Sequence, residues 1–296
     1  MLFYLNQKTF FVKSYKMTNP SLYIVATPIG NLNDLSIRAK EVLNSVDIIV
    51  AEDTRETKKL FGLVGISCNK KFIAYEDHFE QEKVQEIINL INEGYTLALV
   101  SDAGSPLISD PGYKLVRECR KRDIKITTVP GCCAVISALQ LSGLPTNRFM
   151  FAGFVPNKDK ARIDFFNELK DINSTLVVYE TANRILKTLY AIKDTLNDRE
   201  VSIVREITKM YEECLFGDVK DVIAQIEEKN IKGEVVVVIA PPSENDYEDI
   251  DISSELEKEL ENSTLKDAVK KITEKYKLKR SDVYEKALEI KNHSVQ

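Results

Sequence analysis

The sequence predicts an α/β protein with a parallel sheet in its first half, a mixed sheet in its second half and a small helical appendage at its C-terminus. From residue 21 to residue 142, short apolar runs alternate with stretches of helical spacing, which is typical of a parallel sheet with helices on both faces. Two strand-like runs follow one another in residues 200–216 with no helix between them, which indicates a mixed sheet. A chain of 296 residues that is 44% hydrophobic can bury two such cores.

In the first half, each short apolar run that ends in turn residues is interpreted as a strand. The helix expected over residues 81–93 shows how helices are recognised, because Val84, Ile87, Ile88 and Ile91 fall on one face. The predicted strands cover residues 21–27, 47–51, 71–74, 96–101 and 126–129, and the predicted helices cover 35–46, 81–93, 113–122 and 133–142.

The second half begins where Gly143-Leu144-Pro145-Thr146 interrupts the alternation, and we predict a domain boundary there. Pro241 and Pro242 end this half. The predicted strands cover residues 149–154, 175–180, 200–205, 211–216 and 234–239, and the predicted helices cover 161–169, 183–196 and 219–228.

The C-terminal residues change sharply in charge. Residues 243–261 contain nine acidic residues and one lysine, which predicts a solvated linker that leads into a helix. Two short helices are expected over 264–276 and 281–290, and residues 266–280 contain seven basic residues against two acidic ones. Composition alone favours a solvated helix face for this basic stretch. The predicted division is an N-terminal extension (1–20), a first domain (21–144), a second domain (145–242), an acidic linker (243–262) and a basic helical appendage (263–296).

Composition excludes several classes of protein. A net charge of −5 argues against a generally cationic nucleic-acid binder, although a local basic patch is compatible with it. The five cysteines form no CxxC pair and have no histidine at metal-ligand spacing, so we expect no metal and reduced thiols in the cytoplasm. No apolar run is long enough to span a bilayer, and we expect no membrane association. Met17 stands shortly before the first strand, which leaves open whether residues 1–16 belong to the native protein.

Motifs for three common chemistries are missing. The chain has no GxxxxGK[ST] phosphate loop, no GxGxxG dinucleotide turn and no GxSxG nucleophile elbow. The sequence therefore disfavours nucleotide hydrolysis, hydride transfer and serine hydrolysis.

The most unusual segment is Ser101–Gly112 (SDAGSPLISDPG), called here the SDAGSP loop. It follows a buried strand and precedes a helix, so it lies at the carboxyl edge of a parallel sheet, where open α/β folds bind ligands. Its two glycines permit close backbone approach, its two prolines stiffen the chain, and its two aspartates can accept hydrogen bonds. A binding role explains twelve residues of this composition better than a plain surface loop does.

Two more loops are expected at the same edge. These are Thr27–Asn31, the TPIGN loop, and Val129–Ala134, the PGCC turn. Each alone is ordinary turn chemistry, but three such loops on one edge indicate a ligand site. Ala51–Arg55, the AEDTR segment, follows the second strand. Its ionisable side chains fit proton transfer or substrate orientation, and Asp53 or Thr54 fits the N-cap of a following turn equally well.

Polar residues also stand at strand ends in the second half, namely Tyr179-Glu180, Arg205-Glu206 and Lys232-Gly233-Glu234. Taken one at a time, a surface turn or ion pair is the simpler explanation for each of them.

Four segments together resemble the bacterial 16S rRNA (cytidine-2′-O)-methyltransferase family of the tetrapyrrole methylase superfamily. They are LYIVATPIGNLNDLSIRAKEVL, DIIVAEDTRETKKL, ALVSDAGSPLISDPGYKLV and TVPGCCAVISALQLSGLP. The resemblance runs from about Leu22 to Ala240 and less distinctly beyond. It implies a two-domain class III methyltransferase fold, S-adenosylmethionine in the cleft between the domains, a homodimer, and a cytidine of the small ribosomal subunit as target.

The resemblance also implies which residues hold the cofactor. Contacts are expected from the three loops and from strand ends of the second domain. The expected cofactor residues are Pro28, Asp102, Ala103, Gly104, Ser105, Pro106, Ile108, Ser109, Pro130, Gly131, Ala134, Tyr179, Gly233 and Glu234. The family usually has PGPSA where this chain has PGCCA, so Cys132 replaces a stiffening proline and Cys133 replaces a hydroxyl.

Methyl transfer to a ribose 2′-hydroxyl needs alignment and help for a weak nucleophile. Glu52 and Asp53 are candidates for the base or for orienting the ribose, and His78 is a further candidate base or a surface residue at a helix start. Arg55 is expected to face phosphate, and Asp102 to stabilise the positive charge of the cofactor. Candidate RNA contacts are residues 157–162, Arg205, Glu206, Lys209, Lys270, Lys271, Lys279 and Arg280.

Two other functions stay open at this point. One is a tetrapyrrole-precursor methylase with the same fold, and the other is a non-catalytic cofactor-binding protein of ribosome assembly. The AEDTR segment, the TPIGN loop and the basic helices favour an RNA substrate, and the presence of all three loops favours an enzyme.

Overall fold

The first sheet consists of five parallel strands. A computed structural model describes residues 20–76, 80–229, 231–242, 252–276 and 280–293. The strands lie side by side in the order β3-β2-β4-β1-β5. They are β1 (Leu22–Val25), β2 (Ile48–Ala51), β3 (Lys71–Ala74), β4 (Leu97–Val100) and β5 (Ile126–Val129). The predicted parallel sheet is confirmed.

Helices cover both faces of this sheet, as its uninterrupted apolar strands predict. On one face, Ile87 and Leu115 pack with Leu99, and on the other face Leu43 and Phe61 form a second cluster. The helices of this half are α1 (Ile37–Ser45), α2 (Thr54–Val64), α3 (Glu80–Asn92), α4 (Tyr113–Lys121) and α5 (Ala134–Leu141), and a 3-10 turn spans Leu32–Asp34.

Helix α2 has no counterpart among the predicted elements. Its N-cap is Asp53, whose side chain accepts a hydrogen bond from the backbone N–H of Arg55, and Gly65 ends it in the left-handed conformation with φ of 69°. Thr57 and Phe61, one turn apart, are its buried residues. This narrow apolar stripe lies among charged residues, which is why the sequence pattern did not indicate a helix.

The second sheet is mixed, as predicted, with strand order β6-β7-β10-β8-β9. Only β6 and β7 run parallel, and the other neighbours are antiparallel. Its strands are β6 (Phe149–Phe154), β7 (Thr175–Thr181), β8 (Glu200–Arg205), β9 (Glu213–Asp218) and β10 (Glu234–Ile239). Its helices are α6 (Asp159–Leu169), α7 (Ile185–Leu196) and α8 (Val219–Glu227).

Helix α5 joins the two halves of the molecule. It precedes the predicted boundary at Gly143, yet its buried residues Val135 and Leu139 pack against Val177 and Val236 of the second sheet. The opposite face of that sheet is covered by α6, α7 and α8. Because α5 starts at the end of β5, the carboxyl edge of the first sheet is held against the second sheet.

The appendage consists of α9 (Ser253–Asn262), α10 (Leu265–Tyr276) and α11 (Arg280–His293). The linker predicted over 243–262 is therefore wrong for residues 253–262, while 243–251 lie outside the described residues. Leu256 supplies an apolar contact to Val269 and Val283. The acidic side chains also have partners, because Glu259 pairs with Lys271 at 2.5 Å and Glu255 pairs with Lys275.

Two features are absent from the described residues, namely a helix that could span a membrane and a cluster of metal ligands. None of their helices combines the length and the apolar character that crossing a bilayer requires. Nor do three His, Cys, Asp or Glu side chains within this part of the chain come together in a way that could hold a metal ion.

Candidate functional site

Three loops meet at the carboxyl edge of the first sheet. Thr27 of the TPIGN loop and Gly104 of the SDAGSP loop exchange backbone hydrogen bonds of 2.8 and 3.1 Å. The Ser105 hydroxyl donates to the carbonyl of Cys132 in the PGCC turn at 2.9 Å. The convergence of the loops therefore follows from direct hydrogen bonds between them.

The backbone of the SDAGSP loop adopts several left-handed conformations. Gly104 and Gly112 have φ of 80° and 136°, and a Cβ on Gly112 would lie 2.9 Å from Leu99 Cδ2. Leu107 and Ser109 have φ of 72° and 69° although both carry side chains. Such conformations persist only where the surroundings enforce them, and they concentrate at functional sites.

A cleft of about 260 Å³ lies between these loops and the second sheet. Half of the expected cofactor residues line it. They are Ala103, Gly104, Ser105, Ile108, Ala134, Tyr179 and Glu234. The others do not line the cleft, and they are Pro28, Asp102, Pro106, Ser109, Pro130, Gly131 and Gly233.

Sequence reasoning missed part of the cleft wall. Asp110 lines it and belongs to the SDAGSP loop, so the loop itself was a sufficient signal. Thr181, Val235 and Val236 line it from strands, and Phe154 lines it from the end of β6. Which strand residues face the cleft depends on how the two sheets are oriented, and the sequence pattern does not specify this orientation.

Glu180 is the most buried acid of the cleft wall. Its side chain is 1% exposed, and its carboxylate accepts hydrogen bonds from the Thr188 hydroxyl at 2.6 Å and from Thr181 N–H at 2.7 Å. Arg184 lies 3.1 Å from the same carboxylate. A buried carboxylate needs such partners, because desolvation penalises its charge.

Among the charged side chains of the cleft wall, acidic ones outnumber basic ones. The lining residues that the structure describes include the carboxylates of Asp110, Glu180, Glu206 and Glu234, and the ammonium of Lys209. Lys209 lies 3.1 Å from Glu206 and 3.4 Å from Glu234. Desolvation acts to lower the pKa of Lys209, but these carboxylates outweigh it and raise the pKa. An excess of acids favours a ligand that carries positive charge.

Tyr179 stands among aromatic rings at the side of the cleft. Its ring contacts Phe151 and Phe154 edge-on, with centroid distances of 4.8 and 5.2 Å. Burial raises the pKa of the Tyr179 phenol well above its usual range, so the hydroxyl keeps its proton at neutral pH. Phe154 is 60% exposed beside it, which places an accessible aromatic surface in the cleft wall.

The AEDTR segment lies beside the cleft and is bonded to the SDAGSP loop. The backbone N–H of Asp53 donates to the Asp102 carboxylate at 3.0 Å, and the N–H of Asp102 donates to Glu52 Oε2 at 3.3 Å. Partial desolvation raises the pKa of Asp102. Glu52, Asp53 and Arg55 are absent from the cleft wall. The Asp102 carboxylate is therefore directed towards Asp53 and not towards the cleft. Asp110 is the aspartate of the SDAGSP loop that lines the cleft.

The side chain of Asp53 is engaged in two further contacts. Besides capping α2, its carboxylate forms an ion pair of 2.7 Å with Arg55. These hydrogen bonds from Arg55 hold the pKa of Asp53 well below its usual range. A carboxylate with so low a pKa is a weak proton acceptor at neutral pH, and this disfavours Asp53 as a base.

The segment Arg205–Lys209, called here the REITK segment, bridges the two halves. Glu206 and Thr208 have φ of 49° and 64°, and Thr208 Oγ1 accepts the backbone N–H of Asn31 at 3.1 Å. Glu206 and Lys209, expected on the substrate side, line the cleft. Arg205 does not line it, because its guanidinium binds Glu213 at 2.8 Å and the carbonyl of Lys232 at 3.2 Å.

The other expected RNA contacts are distributed over the molecule. Arg162 is only 4% exposed and pairs with Asp159, so it stabilises α6 and is not available to RNA. Lys270 and Arg280 are exposed in the appendage, and Lys271 pairs with Glu259. His78 and Lys279 lie outside the described residues.

Comparisons with known proteins agree with this geometry. The family model described as Tetrapyrrole (Corrin/Porphyrin) Methylases matches residues 21–223. The chain is 43% identical over 278 residues to Ribosomal RNA small subunit methyltransferase I of Vibrio cholerae, covering 91% of this chain and 95% of the relative. It is 45% identical over 273 residues to the protein of the same name from Erythrobacter litoralis, covering 92% and 96%.

Solved structures support the fold. A cobalt precorrin-4 methyltransferase of cobalamin biosynthesis has a TM-score of 0.54 at 15% identity and covers 74% of this chain and 94% of its own. Diphthine synthase has a TM-score of 0.57 at 14% identity, with coverages of 74% and 89%. Methyltransferases of this family and fold use S-adenosylmethionine. By the extent of these matches, this chain belongs to the tetrapyrrole methylase family and, within it, to the Ribosomal RNA small subunit methyltransferase I family.

Proposed function

We propose that this chain transfers a methyl group from S-adenosylmethionine to the ribose 2′-hydroxyl of a cytidine in 16S ribosomal RNA. The observation that carries the proposal is the identity of 41–45% to relatives named Ribosomal RNA small subunit methyltransferase I. The cleft at the carboxyl edge of the first sheet supports it, because the loops that carry the family resemblance form its wall. The cytidine and the 2′-oxygen rest on the resemblance of the AEDTR segment and the SDAGSP loop.

The cleft fits the methyl donor chemically. S-adenosylmethionine carries a sulfonium, an ammonium and a carboxylate, and when bound it supplies an electrophilic methyl group. Asp110 and Glu234 of the cleft wall suit the two cations, whereas Glu180 is buried and paired with Arg184, and Lys209 suits the carboxylate. Gly104, whose φ of 80° favours glycine, brings backbone to the cleft without a side chain.

We assign donor binding to the expected residues that line the cleft, with Asp110 in the role first given to Asp102. The expected residues outside the wall are assigned a supporting role. Pro106 and Pro130 restrict the backbone of the two loops, because proline fixes φ. Gly131 allows a close approach to Ala26, because a Cβ on Gly131 would lie 3.0 Å from the Cβ of Ala26.

Glu52 is our candidate for accepting the proton of the 2′-hydroxyl. Asp53 is engaged in capping and in its ion pair, whereas Glu52 lies beside the SDAGSP loop through its bond to Asp102 N–H. The hydroxyl oxygen becomes a better nucleophile as its proton moves to a carboxylate within hydrogen-bond reach. His78 remains the second candidate.

The RNA partner is assigned to positive charge near the cleft and in the appendage. Arg55 has a side chain that is 84% exposed and can face phosphate while it is paired with Asp53. Lys270 and Arg280 are exposed on α10 and α11. We further propose that the chain acts on the small ribosomal subunit in the cytoplasm as a homodimer.

The experiment is a transfer assay with the full-length chain. Small subunits from cells that lack this methyltransferase are incubated with methyl-labelled S-adenosylmethionine, in parallel with free 16S rRNA. We expect label at a single cytidine, mapped by nuclease digestion and mass spectrometry, in a linkage that resists alkali because its 2′-oxygen is blocked. Glu52→Gln should reduce turnover about 100-fold while donor affinity stays within about twofold of wild type. Absence of transfer to subunits and to free RNA, or transfer to a tetrapyrrole precursor, contradicts the proposal.

A further inference from the structure

Helix α4 and the turn that follows it carry a dense group of cations that neither the cleft nor the appendage explains. From Tyr113 to Lys125 the chain has six basic residues against two acidic ones, in a molecule whose net charge is −5. All six are exposed. The six are Lys114, Arg117, Arg120, Lys121, Arg122 and Lys125.

Part of this charge has a structural explanation. Arg120 and Lys121 lie in the last turn of α4, where the helix dipole favours cations. Glu118 pairs with Arg122 at 2.8 Å and with Lys121 at 3.4 Å. Lys114 in the first turn and Arg117 in the middle gain nothing from the dipole. Lys114, Arg117 and Lys121 stand three or four residues apart and repel one another, and Glu118, four residues after Lys114, offsets only part of this repulsion.

A groove runs along this part of α4. It has a volume of about 550 Å³ and lies between α4 and α3. Its charged wall residues are four cations and one acid, namely Lys114, Arg117, Lys121, Arg122 and Glu118, and Tyr113 lines it as well. Lys121 follows Lys114 by seven positions, which corresponds to about 10 Å along the helix. Cations spread over this length can face consecutive phosphates of one strand.

An aromatic ring lies among these cations. Tyr113 is 61% exposed, and the Arg117 guanidinium lies over its ring at 5.9 Å and donates to its hydroxyl at 3.2 Å. Exposed aromatic rings among Lys and Arg residues are typical of surfaces that bind single-stranded nucleic acid, where bases stack and phosphates pair with cations. The contact also orients Arg117 before any partner arrives.

The groove begins at the same edge as the cleft. Asp110 lines the cleft, Gly112 is the N-cap of α4, and Tyr113 is the first residue of the helix. The first turn of α4, with Tyr113 and Lys114, therefore lies within reach of a strand of RNA that is bound at the cleft.

We propose that the α4 groove binds the phosphate backbone of the RNA substrate and guides the strand into the cleft. The proposal rests on the proposed function and adds the RNA-binding surface to it. Its chemistry is electrostatic and not specific for sequence, with stacking on Tyr113.

The test compares two double charge reversals of equal size in the full-length chain. Lys114→Glu with Arg117→Glu alters the groove, and Lys187→Glu with Lys193→Glu alters exposed lysines of α7 on the second sheet. Binding of transcribed 16S rRNA and of small subunits is measured against salt concentration. For the groove variant we expect an affinity about tenfold lower and a slope of log affinity against log salt that is smaller by about 1.5. The α7 variant should stay within about twofold of wild type.

Two further measurements serve as controls for folding. The donor affinity of the groove variant, measured by calorimetry, should match that of wild type. If the charge reversal disturbs folding, Lys114→Gln with Arg117→Gln takes its place and should lower RNA affinity in the same direction by a smaller factor. An unchanged salt slope in the groove variant overturns the proposal, whether or not its oligomeric state changes. Wild-type chain that binds RNA through the groove but transfers no methyl group overturns the proposed function and leaves the groove assignment standing.

Discussion

At the residue scale, Asp53 shows how one side chain can fit two patterns. The AEDTR segment was compatible with proton transfer and with helix capping. The structure contains a helix that begins directly after Asp53, and the carboxylate both caps it and pairs with Arg55. Its neighbour Glu52 is left as the candidate base, because its contact is with the SDAGSP loop.

The lowered pKa of Asp53 predicts a pH dependence of stability. A carboxyl whose folded-state pKa is depressed contributes stability above its unfolded value of about 3.9, and this contribution is lost as the pH falls through the folded-state value. Asp53→Asn keeps a side chain that can cap but removes the charge. We expect it to lower the free energy of unfolding at about pH 7, and to lower it by less at about pH 3, where part of the stabilisation by the charge is lost, as measured by urea titration at both pH values. If wild type and Asp53→Asn differ in unfolding free energy by the same amount at both pH values, the charge of Asp53 does not contribute the stability assigned to it.

Replacing Cys133 by serine is expected to raise the stability of the protein. Cys133 is the N-cap of α5, and its side chain makes no capping hydrogen bond. The resembled family usually has serine at this position, and serine is among the best N-cap residues. Cys133→Ser should therefore raise the free energy of unfolding by about 1 kcal/mol. Urea unfolding checks the change, and Cys68→Ser at an exposed loop position is the control. Equal stability of the two variants would show that the cap does not form.

At the element scale, the periodicity of the sequence identified most strands and helices, and the two helices it missed share a cause. In α2 and α9 the apolar residues form a narrow stripe among charges, with Phe61 in one and Leu256 in the other. A segment with so narrow an apolar stripe forms a stable helix only when another element packs against the stripe. The residues of the segment itself do not indicate whether such packing exists. Likewise, the three loops were recognisable from their own residues, whereas the strand residues of the cleft were not.

The contact between the TPIGN loop and the REITK segment can be tested with two glycines. A Cβ on Gly30 would lie 2.6 Å from Lys209 Cγ and 2.8 Å from Thr208 Oγ1, so Gly30→Ala should push the two segments apart and weaken donor binding about tenfold. Gly62 in α2 has nothing within 4 Å of an added Cβ. Gly62→Ala should leave donor affinity unchanged and stabilise the helix by up to about 1 kcal/mol. Calorimetry that finds equal donor affinity in both variants contradicts the role of this contact.

At the scale of the whole molecule, the function depends on how the two sheets meet. Helix α5 begins at the edge of the first sheet and packs against the second sheet. The loops of the first half therefore form one wall of the cleft, and acidic residues of the second half form the other. The family resemblance predicted this arrangement of two domains around one cleft. Sequence patterns did not predict that acidic α9 and basic α10 neutralise one another through pairs such as Glu259–Lys271.

We expect the appendage to contribute to RNA binding without affecting donor binding. Its three helices pack around their own apolar cluster. Removing residues 251–296 should leave donor affinity within about twofold of wild type and weaken binding to small subunits about tenfold. Sedimentation with purified subunits measures the second effect and calorimetry the first. Loss of donor binding in the shortened chain would show that the cleft needs the appendage.

The most direct test of the central claim, that this cleft holds the methyl donor, is a calorimetric titration with S-adenosylmethionine. Wild-type chain is compared with Ala134→Trp, which places a large ring in the wall of the cleft. We expect wild type to bind about one donor per chain and Ala134→Trp to give no heat while its melting temperature stays within about 4 °C of wild type. Equal donor affinity in the two proteins, or no heat with wild type, contradicts the assignment of the cleft.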